Sequence, residues 1–443
     1  MSARRRSVPT RPLLLFSLFA PLLFFLGIAA APGSAGNGNC HSPKHPCTTS
    51  TTPTSTTSTS TTSTSTTSTS TTSTTSTTST TSTTSTTTTA TSVGSSLPAP
   101  LPASSGTAYY VDGTTGSDAN PGTAAAPFKT IEYALGHATA SGSIVYVRSG
   151  TYGSGSTSEY IWTAKGTATA PITLAAYPGD KPVLAKLYQL AGSYLRLTGF
   201  KIVRNSYPTD SRFGQSGSNP GGNVGLWVNG CSSCEVDHNE ITGQTQTGLF
   251  ISGSDNVQVL SNWIHANGTT HDDHGVYFCS GSNGLLADNV VDHNYDYGIQ
   301  LYCGTTYPIN PILTDNTVVY NGTAGSGGSG MVLEAQNATV VDNVVAFNVE
   351  YGIRGWTPGS GTVANNDVYG NAAGAFYDLG SYTLTGNLLG NPMFVDAAAG
   401  NFGLQSGSPA VDSASSPYSD PVDKSGVSRP QGSGPDIGSY ESH

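Results

Sequence analysis

The densest group of side chains able to do chemistry is the run from His271 through Asp272, Asp273, His274 and Gly275 to Tyr277. Two imidazoles and two carboxylates this close can hold a cation or share a proton, and a shared proton is what general acid–base work requires. A second pair, Asp296 and Tyr297, precedes Gly298 as Asp273 and His274 precede Gly275. If those glycines are equivalent positions of a repeat, Asp273 and Asp296 lie one strand spacing apart, about 4.8 Å. They are then the expected metal ligands. Asp273, His274, Asp296 and Arg354 are the expected catalytic group, and a solvated polar turn over 271–277 is the plain alternative.

Those positions need a repeating scaffold, and the chain contains one. Asn239, Asn262, Asn289, Asn316, Asn343, Asn366 and Asn387 each precede an apolar pair and follow one another at steps of 23, 27, 27, 27, 23 and 21 residues. Five residues after six of them stand Gln244, Asn267, Asn294, Asn321, Asn348 and Asn371. A third column is Gly225, Gly248, Gly275, Gly298, Gly330 and Gly352, each opening a short alternating segment. Because side chains alternate along a strand, the residues one and three after each Gly point inward and the residue two after it points outward. Short strands at a fixed period with no room for crossover helices mean an all-β coil of stacked parallel strands, with amide ladders at its corners.

The outward positions are Trp227, Phe250, Tyr277, Gln300, Val332 and Arg354. Three successive aromatics make a flat strip on which sugar rings could stack, so Trp227, Phe250, Tyr277, Tyr297 and Gln300 are the expected substrate-binding residues. The alternative is that a surface loop, such as the 206–222 insertion, covers the rings. Cys279 and Cys303 fall on adjacent strands and are expected to form a disulfide. Cys231 and Cys234 are expected to form a second, with a zinc site that includes His238 as the competing reading.

Composition narrows the partners. Of 443 residues 54 are Gly, 26 Pro and only 10% charged, which excludes a helical bundle. Arg4 to Arg6 followed by an apolar run ending in Ala29, Ala30 and Ala31 is laid out as a secretory signal peptide over 1–31, with an uncleaved anchor as the alternative. Residues 32–107 are dominated by Ser and Thr and cannot bury a core, so they are expected to be a disordered linker before a domain at 108–443. Without Arg4, Arg5, Arg6 and Arg11 the chain has 13 basic against 27 acidic residues. Such an acidic protein is not expected to bind nucleic acid, and would repel a polyanionic sugar unless a cation bridges the two. No membrane span is expected in the mature protein, which is expected to be a secreted or cell-surface monomer.

The coils resemble the right-handed parallel β-helix of the pectate-lyase-like superfamily. The opening at 109–152, with Asp112-Gly113, Asn120-Pro121-Gly122 and Pro127-Phe128, is similar to secreted members of that group, and implies a capping helix from about Phe128 to Thr139. The close, with Arg429-Pro430 and Asp436 to Glu441, is similar to the terminal segment of bacterial surface β-helix proteins. The resemblance implies a polysaccharide or other glycan as partner, and either a lyase or a hydrolase, or a non-catalytic adhesin or structural protein. Uronate lyases of this fold usually carry a Lys or Arg base and calcium-binding acids, so calcium is the implied cofactor. Yet no Lys lies between Lys201 and Lys424. Polygalacturonase-like hydrolases spread their Asp, Asp-Asp and His-Gly elements over several coils, whereas here Asp272-Asp273 and His274-Gly275 are fused. Alginate epimerase-like members match 271–275 only loosely.

Overall fold

The computed structural model describes residues 105–155, 159–186, 188–203, 224–325, 327–415 and 420–442. The expected signal segment, almost all of the linker and the 206–222 insertion lie outside the described residues.

Each coil adds one short strand to each of three parallel sheets, of eleven, nine and nine strands among the described residues. In one coil Glu235–Asp237 joins the first sheet, Glu240–Thr242 the second and Leu249–Ser252 the third. The chain then returns to the first sheet at Gln258–Leu260, directly beside Glu235–Asp237. The protein is a right-handed parallel β-helix. Its interior is filled by the residues one and three after each Gly, among them Leu226, Val228, Leu249, Ile251, Val276, Phe278, Ile299, Leu301, Met331 and Leu333, all buried.

The corners are held by amides. Asn262 Nδ2 donates to Asn289 Oδ1 at 3.0 Å, Asn289 to Asn316 at 2.9 Å, and Asn316 to Asn343 at 2.9 Å. The second ladder runs in parallel, Asn267 to Asn294 at 3.0 Å and Asn294 to Asn321 at 2.9 Å. The residue before each first-ladder Asn turns the chain in the left-handed region: Ser261, Asp288, Asp315 and Asp342 have φ between 53° and 56°. Asp tolerates that conformation better than most residues, and the following Asn satisfies the turn backbone that the bend exposes. A third, exposed ladder joins Asn256, Asn283, Asn310 and Asn337 at a 27-residue step.

The N-terminal end of the coil is closed by the helix Ile131–His137, shorter than the expected 128–139 because Thr130 stops it, its side chain accepting from the Tyr133 amide. Ile131, Ala134, Leu135 and Ala138 are buried against the first coil. After the last coil a hairpin pairs Phe394–Asp396 with Asn401–Leu404. The chain then runs back along the coil corners. Arg429, buried, sets its guanidinium 2.9 Å from Asp288 and 3.3 Å from Asp315. Lys424 donates to the Ser261 carbonyl at 2.6 Å. Among the described residues no helix is long and apolar enough to cross a membrane.

Candidate functional site

The third sheet presents one continuous outer column. Strand register stacks Gln189 on Trp227, Trp227 on Phe250, Phe250 on Tyr277, Tyr277 on Gln300, Gln300 on Val332, Val332 on Arg354 and Arg354 on Tyr377. The order from Trp227 to Arg354 is the one read from the Gly column.

Exposure along the column differs from expectation. Trp227 and Phe250 are buried and pack with Val224, Tyr277 and the Cys279–Cys303 disulfide in a small outer cluster. Their rings meet edge to face, Trp227 with Phe250 at 6.1 Å and Phe250 with Tyr277 at 5.2 Å, so they present no open flat strip. Alternation set the direction of these side chains, but what lies over them is a tertiary matter. The open aromatic surface lies further along the coil, where Tyr351 stacks on Tyr377 at 4.5 Å and Arg354 sits 5.4 Å from the Trp356 ring and 5.3 Å from that of Tyr377. Cys231 and Cys234 are joined to each other, which removes the zinc alternative there.

The acidic group gathers around Asp296. Its carboxylate is fully buried, and Oδ2 accepts from the Asp272 amide at 3.1 Å and lies 3.1 Å from His271 Nδ1. Asp273 takes a different course from its expected pairing with Asp296. Its Oδ2 accepts from the amides of Thr269 and Thr270 at 2.9 and 2.7 Å and from the Thr270 hydroxyl at 2.9 Å, closing its own loop. An Asp satisfied by its own turn is a common local solution that competes with longer-range pairing. The neighbours that the structure sets against Asp296 are therefore His271 and Asp272, which column alignment did not select. The signal was present in the 271–274 run itself, but backbone register cannot say which of four adjacent side chains reaches across.

His274 is buried, its ring stacked on Tyr297 at 5.1 Å and edge-on to Tyr277 at 5.0 Å, with Nδ1 3.7 Å from Asp296 Oδ2. Burial, with the neighbouring His271, pushes its imidazole down to about 3, so it is neutral at pH 7. Its Nδ1 has no hydrogen-bond partner. Burial also raises the Asp296 carboxyl, against the pull of His271, and raises the Tyr297 and Tyr277 phenols. Asp296 Oδ1, Gln300 Oε1 and Arg354 Nε are likewise buried without partners. Native proteins satisfy buried polar atoms, so several unsatisfied ones on one outer face mark a place where a polar ligand or water belongs. One donor atom each from His271, Asp272 and Asp296 lies within 4.8 Å of the others, close enough to hold one metal ion.

The sequence model of the family described as "Pel9A-like, right handed beta helix region" matches residues 109–387. The chain belongs to this family. This Pel9A-like chain is 28% identical over 283 residues to pectate lyase L of Paenibacillus polymyxa (strain SC2), a match that covers 56% of the chain and 61% of that relative. The chain thus matches about three fifths of the relative's length. The crystal structure of pectate lyase Pel9A superposes with a TM-score of 0.53 at 18% identity, covering 76% of this chain and 97% of that one. A rhamnogalacturonan lyase superposes with a TM-score of 0.46, also at 18% identity, over 60% of this chain and 74% of that one. At 18% identity the likeness to pectate lyase Pel9A speaks for the fold of the Pel9A-like chain.

Proposed function

We propose that this is an exported, monomeric protein that binds an acidic polysaccharide on the outer face of the third sheet and cleaves it by β-elimination. The observation that carries the reading is the set of buried, unpartnered polar atoms of His274, Asp296, Gln300 and Arg354 on one outer face. Pectate lyase L among its relatives supports a uronate substrate, and the two disulfides support export. Arg354, between Trp356 and Tyr377 with Nη1 3.5 Å from Glu350 Oε2, turns its remaining donors to a sugar carboxylate, while Tyr351 and Tyr377 offer the adjoining aromatic surface. Tyr277, Tyr297 and Gln300 line the centre, and Asp273 holds the loop that presents His271 and Asp272.

A net charge of −10 opposes a polyanion, so a divalent cation at Asp296 belongs to the reading. When bound, it neutralises the sugar carboxylate and makes the C5 proton more acidic. Calcium suits the carboxylates of Asp272 and Asp296, but two imidazoles beside them do not suit it. In the elimination the C5 proton passes to a base, the C4–O bond breaks and a C4–C5 double bond forms. His274 Nδ1 is the buried unpaired acceptor at hand. Tyr297, held protonated, is placed to return a proton to the leaving oxygen. Trp227 and Phe250 flank this surface along the same column, Phe250 packing edge to face on Tyr277.

A second reading, binding without cleavage, is favoured by two observations. No lysine lies on this face among the described residues, and His274 with a pKa of about 3 is a weak base. Incubating the purified chain with uronate and neutral glycans, with and without divalent cations, separates the readings. Ultraviolet-absorbing unsaturated ends together with reducing ends mean elimination. Reducing ends alone mean hydrolysis, and retained binding with neither product means an adhesin.

A further inference from the structure

We infer that His271, Asp272 and Asp296, with His274 beside them, form a site for a borderline divalent cation of the zinc class rather than for calcium. The inference deepens the proposed reading of this face by naming its ion. It does not depend on glycan cleavage.

The spacing comes first. His271 Nδ1 is 3.1 Å from Asp296 Oδ2 and His271 Nε2 is 3.7 Å from Asp272 Oδ1, with one donor from each of the three residues within 4.8 Å of the others. Ligands held about 2.0–2.2 Å from a tetrahedral ion stand roughly 3–4 Å apart, and the ion takes one nitrogen of the His271 ring, so modest movement of that ring and of Asp272 brings one donor from each residue onto one centre. Asp272 is free to make them, its side chain being 77% exposed.

A second, separate observation points to a ligand. Asp296 Oδ1 and His274 Nδ1 are both buried without hydrogen-bond partners, and His274 Nδ1 lies 3.7 Å from the Asp296 carboxylate. The His274 ring is held there by stacking on Tyr297 at 5.1 Å and by edge contact with Tyr277 at 5.0 Å, so Nδ1 stays beside the cluster.

The donor set decides the ion. Calcium takes about six to eight oxygen ligands and has little use for imidazole. Here Asp273 Oδ2 is already spent on three donors of its own loop, leaving few protein oxygens. The His271 imidazole with the carboxylates of Asp272 and Asp296 is a set that zinc, cobalt or nickel accept, with water or a sugar oxygen completing the shell.

The test is a titration of the chelator-treated full chain with zinc, cobalt and calcium chloride separately, by calorimetry and, for cobalt, by visible absorption. We expect one equivalent of zinc bound with a Kd at least tenfold below that for calcium. His271→Ala should weaken zinc at least tenfold and abolish the cobalt band, with the circular dichroism unchanged because His271 is exposed. Asp296→Asn should do the same. Calcium bound as tightly as zinc overturns the inference. So does zinc binding unchanged in His271→Ala, which would place the metal on histidines elsewhere, such as His238, His265 or His293. Metal binding of the expected kind without any glycan product would sink the cleavage reading and leave this site standing.

Discussion

The side-chain amide of Asn294 occupies the space that a Cβ on Gly275 would need, its Nδ2 standing 2.6 Å from that position. The same clash recurs for Gly248 with Asn267 at 2.7 Å and for Gly330 with Asn348 at 2.7 Å. The glycine column and the second amide ladder are thus one device. Each glycine leaves room for an amide that links two coils, and none of these glycines needs a left-handed backbone.

Gly275→Ala should therefore be costly, since Val291 Cγ1 at 2.6 Å and the Gly298 carbonyl at 2.7 Å also block the added methyl. A loss of about 2–3 kcal/mol in urea unfolding is expected. Gly136, within the capping helix, meets nothing within 4 Å. Gly136→Ala should stabilise by about 0.5–1 kcal/mol through helix propensity. Equal effects at the two sites would refute the packing explanation.

The two kinds of amide ladder should respond differently to truncation. Asn316 is fully buried, donates to the Leu286 and Thr314 carbonyls and to Asn343, and accepts from Asn289. Asn316→Ala leaves several buried groups unpaired and should cost about 3 kcal/mol or more, measured by chemical denaturation. Asn310 lies in the exposed ladder, where water replaces the lost partner. Asn310 also has φ 51°, a left-handed backbone that alanine adopts less readily than asparagine, so Asn310→Ala should cost about 1 kcal/mol, well short of the buried ladder.

The buried lysine at the coil corner should give stability a pH dependence. Burial pushes Lys424 down to about 7, against the pull of Asp288, Asp292 and Asp423. Between about pH 7 and 10 the unfolded chain then holds a proton here that the folded chain does not, so this group makes stability rise with pH across that window. Below the folded pKa its contribution is a constant penalty. Lys424→Met should flatten the rise in melting temperature between about pH 8 and 10. An unchanged slope would show that Lys424 keeps its proton in the fold.

Arg354 and Tyr377 give a prediction for the outer face that leaves the core alone. Arg354→Ala removes the guanidinium between Trp356 and Tyr377, and Tyr377→Ala removes half of the exposed stacked pair. Each should weaken uronate-oligosaccharide binding about tenfold, in line with loss of a charge-assisted or stacking contact of about 1–2 kcal/mol. Melting temperatures should hold within a few degrees. Binding unaffected by both variants would move the glycan to another surface.

The sequence by itself determined the coil. Asn239 to Asn387 and Gly225 to Gly352 recur because every turn of a stacked coil meets the same corner, and that local demand is written once per repeat. It likewise determined the column from Trp227 to Arg354, since strand alternation is a backbone property, and the pairing of Cys279 with Cys303 on neighbouring strands. Only the tertiary structure decided what these positions do. Trp227 and Phe250 point outward yet are buried, packed with Val224, Tyr277 and the Cys279–Cys303 disulfide, because alternation fixes a side chain's direction and not what packs against it. Asp273 turned to Thr269 and Thr270, and His271 and Asp272 reached Asp296 instead, because the choice among adjacent side chains rests on distances of an ångström or two that register does not carry. The return of Arg429 to Asp288 and Asp315, across more than a hundred residues, follows no period at all. It exists because buried carboxylates at two coil corners require a cation, and the last segment of the chain supplies it.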